Sequence, residues 1–274
     1  MTLDRCRICG GAEAGAVASI PGCQYVKCAL CGVERPAKYP GPDEIARFYE
    51  SGYMSERENN PSIHVHFSLE YRQAYFAEKD LTFSDLGIAH AALRKRRVLD
   101  VGCANGQFLE YLKKHGIEAE GIDVSKEMVN EAKRNGHDCR VVELKDVEGE
   151  YGLVTLWDVI EHMTDPRTAL EKARSLLAPG GELLIQTPCT GMISELFGDR
   201  WLYYMPVEHI HLFSQESLFR LLSETGFAPV KWVRFGSCNP KGSIPDLNKR
   251  VMDTIAKRLG IGDTIALRAR RLAD

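Results

Sequence analysis

The stretch VLDVGCANGQF, Val98 to Phe108, decides how the rest of the sequence is read. Val98–Val101 is a short apolar run of the kind that forms a buried parallel strand. Gly102-Cys103-Ala104-Asn105-Gly106 is a glycine turn, and Gln107–His115 has helical spacing and stops at Gly116. A strand, a glycine turn and a helix start together bring backbone N–H groups close to a ligand. About twenty residues on, the next strand ends in Gly121-Ile122-Asp123. A carboxylate at that position can accept both hydroxyls of a ribose. A dinucleotide site would need G-x-G-x-x-G. Here the glycines are Gly102 and Gly106, and Asp100 stands in the strand, where it suits a positively charged ligand better than a pyrophosphate. No Gly-Lys-Ser/Thr follows, which excludes a phosphate-binding loop of the Walker kind.

Outward from this point the rhythm continues. Glu118–Ile122 reads as a strand, and Ser125 caps a helix over Lys126–Asn135. Cys139–Glu143 and Gly152–Trp157 are strands. Asp165-Pro166 opens a helix to Leu177, which Pro179-Gly180-Gly181 stops. Glu182–Thr187 is a strand, Ser214 starts a helix that ends before Gly226, and Phe227–Phe235 is a strand. Alternating strands and helices predict an α/β fold with a mainly parallel sheet covered on both faces. Towards the N-terminus, helices are expected from Asp43, over 68–79 and over 84–95. In the tail, Ile244–Leu259 reads as a helix, and the alternation in Thr264–Arg270 fits a final strand or a basic amphipathic helix, the strand, hairpinned against Phe227–Phe235, being preferred. The tail from Cys238 carries eight Lys/Arg and four Asp, a basic stretch in a chain of net charge -3.

The sequence resembles the class I S-adenosylmethionine-dependent methyltransferases over roughly residues 97–271. The resemblance rests on VLDVGCANGQF, EGIDVSKEMV, YGLVTLWDVIEHMTDP and LLAPGGELLIQTP. It implies a Rossmann-like doubly wound sheet of seven strands in the order 3-2-1-4-5-7-6, strand 7 antiparallel. It also implies S-adenosyl-L-methionine as cofactor. Asp100, Gly102 and Cys103 would line its methionine end, and Asp123 would hold the ribose. Val124 and Met128 would lie beside the adenine, with Leu144 a further candidate. Trp157 and Asp158 would stand next to the methionine and the transferred methyl.

The nine cysteines are unevenly spread, five of them in the first 31 residues. Cys6-x-x-Cys9-Gly10 and Cys28-x-x-Cys31-Gly32 are matching knuckles 18 residues apart. Four thiolates at this spacing predict a closed, structural zinc site of Cys6, Cys9, Cys28 and Cys31. Cys23 falls outside the pattern. The expected domains are a zinc-ribbon-like module over 1–40, a helical lid or linker region over 41–95, and the catalytic domain over 96–274. Tyr49 and Tyr53 could close over the cofactor, although core packing is the preferred reading of both.

The acceptor side is expected after the fifth strand, in WLYYMPVEHIHLFS, residues 201–214. His209 has the side chain for general-base work and Glu208 could orient it. Alternation would put His209 and His211 on one face. His162, after the fourth strand, is the second candidate base. A narrower resemblance appears here. A four-Cys module, this core and an Glu-His pair ahead of a Phe-Ser helix start are similar to the sugar C-methyltransferases, whose catalytic Glu-His pair Glu208 and His209 match. Those proteins carry a large additional C-terminal domain, whereas this sequence stops at Asp274.

Hydrophobic residues are 44% and charged residues 27%, an ordinary globular balance that excludes collagen-like, low-complexity and wholly disordered classes. No run approaches the ~20 apolar residues of a membrane helix. The N-terminus lacks a secretory h-region, and a cytoplasmic protein is expected. The leading expectation is methyl transfer to a small-molecule acceptor, a sugar, glycan or lipid-linked intermediate, at oxygen. An RNA methyltransferase using the zinc module for substrate binding is the alternative. The net charge argues against nucleic acid as partner. A non-catalytic cofactor-binding protein is the third reading, opposed by the intact Asp100, Gly102 and Asp123.

Overall fold

The computed structural model describes residues 3–48, 69–237 and 246–273. Tyr49 and Tyr53 lie outside the described residues. The strands are β1 Ala14–Ile20, β2 Cys23–Cys28, β3 Glu34–Pro36, β4 Val98–Val101, β5 Ala119–Asp123, β6 Cys139–Val141, β7 Tyr151–Trp157, β8 Leu177–Thr190, β9 Phe213–Ser214, β10 Phe227–Phe235 and β11 Thr264–Arg271. The helices are α1 Pro42–Arg47, α2 Leu69–Leu86, α3 His90–Leu93, α4 Gln107–Lys114, α5 Lys126–Arg134, α6 Pro166–Leu176, α7 Met192–Phe197, α8 Gln215–Glu224 and α9 Asp246–Leu259.

The large sheet has the order β10-β11-β8-β7-β4-β5-β6, with β9 added beside β8. β4 runs parallel to β5 and β7, and β7 parallel to β8. β11 is antiparallel to both β8 and β10. Numbered within the sheet, this is the expected 3-2-1-4-5-7-6 order with the last strand antiparallel. α9 is inserted between the two strands of the final hairpin, as the tail pattern predicts.

Local chemistry explains the helix starts. The Ser125 hydroxyl accepts the Met128 N–H at 3.3 Å, and Asp165 accepts the Thr168 N–H at 3.0 Å. Ser214 and Ser217 cap each other reciprocally at the start of α8. α4 buries Phe108, Leu109, Tyr111 and Leu112, the one-sided spacing of a helix on a sheet.

Two elements differ from expectation. A single helix, α2, replaces the first of two predicted helices and the start of the second. Phe83 and Leu86, near its C-terminal end, are buried in the core, and packing carries the helix across the expected break. Gly87, at φ +64°, then ends it. Second, β8 begins at Leu177, immediately after α6. Pro179-Gly180-Gly181 forms a bulge, and the β7 pairing jumps from Tyr151↔Leu177 to Leu153↔Glu182.

The N-terminal sheet, β1-β2-β3, is antiparallel. It is not set apart from the rest. Cys6, Ile8, Cys28, Cys31 and Val33 share a buried cluster with the large sheet, and Ala18 and Tyr25 share another with Ile193, Trp201, Tyr204 and Leu212. Among the described residues, no helix is long and apolar enough to cross a membrane.

Candidate active site

Parallel strands β4, β5, β7 and β8 all point their C-terminal ends one way, so the loops that follow them surround one crevice. A cavity of about 400 Å³ opens there, lined among others by Asp100, Gly102, Cys103, Trp157, Asp158, Glu161 and His209. Such a volume is in the range of small-molecule sites.

The glycine turn forms one wall. Gly102 has φ +72°, and a Cβ there would come within 2.5 Å of Val159 Cγ2, so the position has room for glycine alone. Two non-glycine residues with left-handed backbone flank the cavity, Ala104 at φ +44° and Asp158 at φ +54°. Backbone held in this region costs ~1–3 kcal/mol and concentrates at functional sites. Asp123 is fixed by two backbone donors: Ala104 N–H at 2.9 Å and Ser125 N–H at 2.8 Å. Val124, just beyond it, is exposed, whereas Met128 in the first turn of α5 and Leu144 after β6 are buried. Asp123 and these three lie at the β5 and β6 ends, beside the cavity rather than in its lining.

Asp100 is buried on β4. Burial pushes its carboxyl up to about 7, against the Thr155 hydroxyl, 2.6 Å away, and the charge of Lys79, which favour the ionised form. Lys79, from α2, is a residue that sequence reasoning missed. Its ammonium is buried 4.0 Å from the Trp157 ring centroid and donates to Gln186 Oε1 at 3.2 Å. Gln186 donates in turn to Asp158 Oδ2 at 2.8 Å. Burial also raises the pKa of Asp158, with Lys79 opposing.

The far wall holds Glu161 and His209, with His162 next to them; a polar side-chain atom of each lies within 4.8 Å of the other two. His209 Nδ1 is 2.8 Å from Tyr203 O, and His162 Nδ1 is 2.7 Å from Glu208 O. Both rings therefore donate from Nδ1 and turn Nε2 away as an acceptor. Burial lowers the His209 pKa to about 4. Glu161 is wholly buried; Thr187 donates to its Oε2 at 2.9 Å, while its Oε1 has no hydrogen-bond partner. Burial, with Asp158 nearby, holds its carboxyl well above the usual range. Glu161 is the second residue missed, visible in sequence only as the neighbour of His162.

His211 does not share a face with His209. Turns replace the expected alternation over 201–212. His211 is buried elsewhere, with Nδ1 3.0 Å from Met163 O and its ring against Tyr39. Glu208 meets the pair through its carbonyl, and Tyr203 O is what holds the His209 ring.

The four knuckle cysteines converge away from this cavity. Cys6 and Cys31 sulfurs are 3.6 Å apart, and Cys9 and Cys28 sulfurs 3.5 Å apart. A tetrahedral zinc with ~2.3 Å bonds separates its sulfurs by ~3.8 Å, so the cluster fits one ion. Gly10 and Gly32, at φ +73° and +75°, make the turns that aim them. Cys23 lies outside the cluster.

Residues 69–231, more than half of the chain, match the family model described as a methyltransferase domain. Among curated proteins the chain is similar to ubiquinone biosynthesis O-methyltransferases. That of Coxiella burnetii is 31% identical over 105 residues, 35% of this chain and 44% of that protein. That of Xanthomonas campestris is 34% identical over 113 residues, 38% of this chain and 47% of that protein. The match thus spans under half the length of these relatives. Among solved structures, the fold is similar to magnesium protoporphyrin IX methyltransferase of Synechocystis, at a TM-score of 0.56 and 16% identity over 82% of this chain and 97% of that one. It is also similar to a Burkholderia thailandensis 1,6-didemethyltoxoflavin-N1-methyltransferase, at a TM-score of 0.55 and 16% identity over 96% of this chain and all of that one. With the family match running through the glycine turn, strands β4 to β9 and the wall that carries Glu161, the chain belongs to the class I S-adenosylmethionine-dependent methyltransferases.

Proposed function

We propose that the protein transfers a methyl group from S-adenosyl-L-methionine to a hydroxyl of a small-molecule acceptor. The observation that carries this reading is the single cavity joining Asp100 and Gly102 on one wall to Glu161 and His209 on the other. When bound, the cofactor supplies an electrophilic methyl on a sulfonium. Asp123, pre-set by its two backbone donors, receives the ribose hydroxyls. Asp100 faces the cationic methionine end, and Gly102 and Cys103 let the backbone approach it. Val124, Met128 and Leu144 form the adenine side, and Trp157 and Asp158 border the methyl. These residues are aligned before binding, which lowers the entropic part of the barrier.

His209 is the general base in this reading. Burial favours its neutral form, Tyr203 O on Nδ1 sets its tautomer and leaves Nε2 as the acceptor, and the residue lines the cavity. His162 stands 4.9 Å from it, ring centre to ring centre, as the second imidazole, and Glu208 orients that ring through its carbonyl. The similarity to ubiquinone O-methyltransferases supports oxygen as the acceptor atom. A sugar, glycan or lipid-linked acceptor is carried by the four-Cys module and the Glu208-His209 pair. Cys6, Cys9, Cys28 and Cys31 hold one zinc ion, and with four thiolates its role is structural. Residues 1–40 would form that module, 41–95 the linker, and 96–274 the catalytic domain.

The test is methyl transfer from labelled S-adenosylmethionine into host extract separated into metabolites, lipids and glycans, RNA and protein. Label in the metabolite or the lipid and glycan fraction is expected. Label confined to RNA or protein would overturn the small-molecule reading.

A further inference from the structure

The segment that carries His209 has little structure of its own. Between α7 and β9 a short 3-10 helix, Gly198–Arg200, is followed by a series of turns. On one side its backbone is held by Glu161, whose carbonyl accepts the Ile210 and His211 N–H groups at 3.0 and 3.1 Å. On the other side it is held by the N-terminal sheet. The Tyr25 hydroxyl, at 0% exposure, donates to the carbonyl of His209 itself at 3.0 Å. The Tyr25 ring packs on Tyr204, with centroids 4.7 Å apart. The Tyr204 hydroxyl donates to Glu34 Oε2 at 2.8 Å. Glu34 and Leu212 exchange both backbone hydrogen bonds, at 2.9 and 2.8 Å.

The origin of these contacts is specific. Tyr25 is on β2 and Glu34 on β3, and the turn joining these two strands is the second cysteine knuckle. Cys28 ends β2, three residues after Tyr25, and Cys31 stands three residues before Glu34. The Cys28 N–H donates to Val33 O at 2.9 Å and closes the turn. The thiolate cluster therefore sits in the turn of a hairpin whose two strands hold the His209 segment at Tyr204, His209 and Leu212.

We propose that Tyr25 and Glu34 are positioning residues through which the four-cysteine sheet holds His209 at the cavity wall, so that the state of the cysteine cluster reaches the acceptor side through these two side chains. This rests on the reading of His209 as the base. The cofactor wall is built from the glycine turn and the β5 end, which the hairpin residues Tyr25 and Glu34 do not contact through any of these bonds. A general packing role for the sheet would instead weaken both walls together.

The experiment is the titration of the His209 imidazole by NMR in histidine-labelled full-length protein, with binding of S-adenosylhomocysteine measured on the same samples. Assignment comes from the resonance lost in His209→Gln. The groups facing that ring are Glu161 and His162, with Tyr203 O on Nδ1. Tyr25→Phe removes one hydroxyl, and Tyr204→Phe breaks the link to Glu34 from the loop side. In each variant the His209 midpoint is expected to rise by about one unit or more toward the free-imidazole value as the ring leaves its dry site. S-adenosylhomocysteine affinity is expected to stay at the parent value. Stripping the metal with a chelator should move the midpoint in the same direction. An unmoved His209 resonance in both variants would overturn the proposal, as would a parallel loss of S-adenosylhomocysteine binding. The two readings separate: full turnover in His209→Gln removes the base, whereas an unmoved titration with turnover lost in His209→Gln removes only the clamp.

Discussion

Replacing Asp100 by asparagine should make the protein more stable and a poorer binder at once. The carboxyl is buried on β4, and burial raises it from 3.8 to about 7. A group whose pKa is raised by folding leaves stability intact below its unfolded value and costs stability as pH rises through its folded value. A shift of about three units at 1.36 kcal/mol each sets the cost at roughly 4 kcal/mol near pH 8, and roughly 1.5 kcal/mol near pH 5. Asparagine keeps the shape and the oxygen that accepts from Thr155, 2.6 Å away, without the charge. In urea titrations the stability gap between Asp100→Asn and the parent should widen from about pH 4 to about pH 7 and then level off. Its plateau should be a few kcal/mol, with the opposing charge of Lys79 already contained in the raised value. Calorimetry should show weaker binding of S-adenosylmethionine by the same variant. A gap that does not change with pH, or a parent that is the more stable form near pH 8, would refute the reasoning.

Three further outcomes are expected. Asp123→Ala removes the ribose acceptor and leaves the Ala104 and Ser125 N–H groups without theirs. At ~1.5–3 kcal/mol for each hydrogen bond to a charged group, S-adenosylhomocysteine should bind at least ~10–100-fold more weakly by calorimetry. His209→Gln should lower turnover by ~10²–10⁴ with cofactor affinity retained, the range for loss of a general base, read by labelled methyl transfer. Native mass spectrometry should find one zinc per chain, absent in Cys9→Ser, and chelation should lower the melting temperature; equal stability of a metal-free protein would contradict the structural role.

The side of the site built from the glycine turn and the β5 end was legible because its chemistry is local. Gly102, Asp123 and the Ser125 cap are each specified by residues within a few positions, so spacing alone places them. The final hairpin was legible in part: the alternation in Thr264–Arg270 allowed a strand or a basic amphipathic helix, and the antiparallel pairing with Phe227–Phe235 decides for the strand. The far wall is assembled differently. Lys79 reaches Trp157 and Gln186 from a helix that the sequence appeared to break, and no local pattern marks a buried lysine as part of a site. Glu161 is defined by its burial and by Thr187, 26 residues away. His209 and His211 part company because turns, not a strand, connect them, and a period-2 argument fails where there is no strand. Tyr25 is invisible as a partner of His209, from which 184 residues separate it.

The central claim is that one cavity binds the cofactor on the Asp123 side and presents its reactive end to His209. A crystal structure with S-adenosylhomocysteine tests it most directly. The account predicts ribose hydroxyls on Asp123, the amino-acid end beside Asp100 and Gly102, and the sulfur facing the space between Asp158 and His209. A ligand bound elsewhere, or a sulfur walled off from His209, would contradict it.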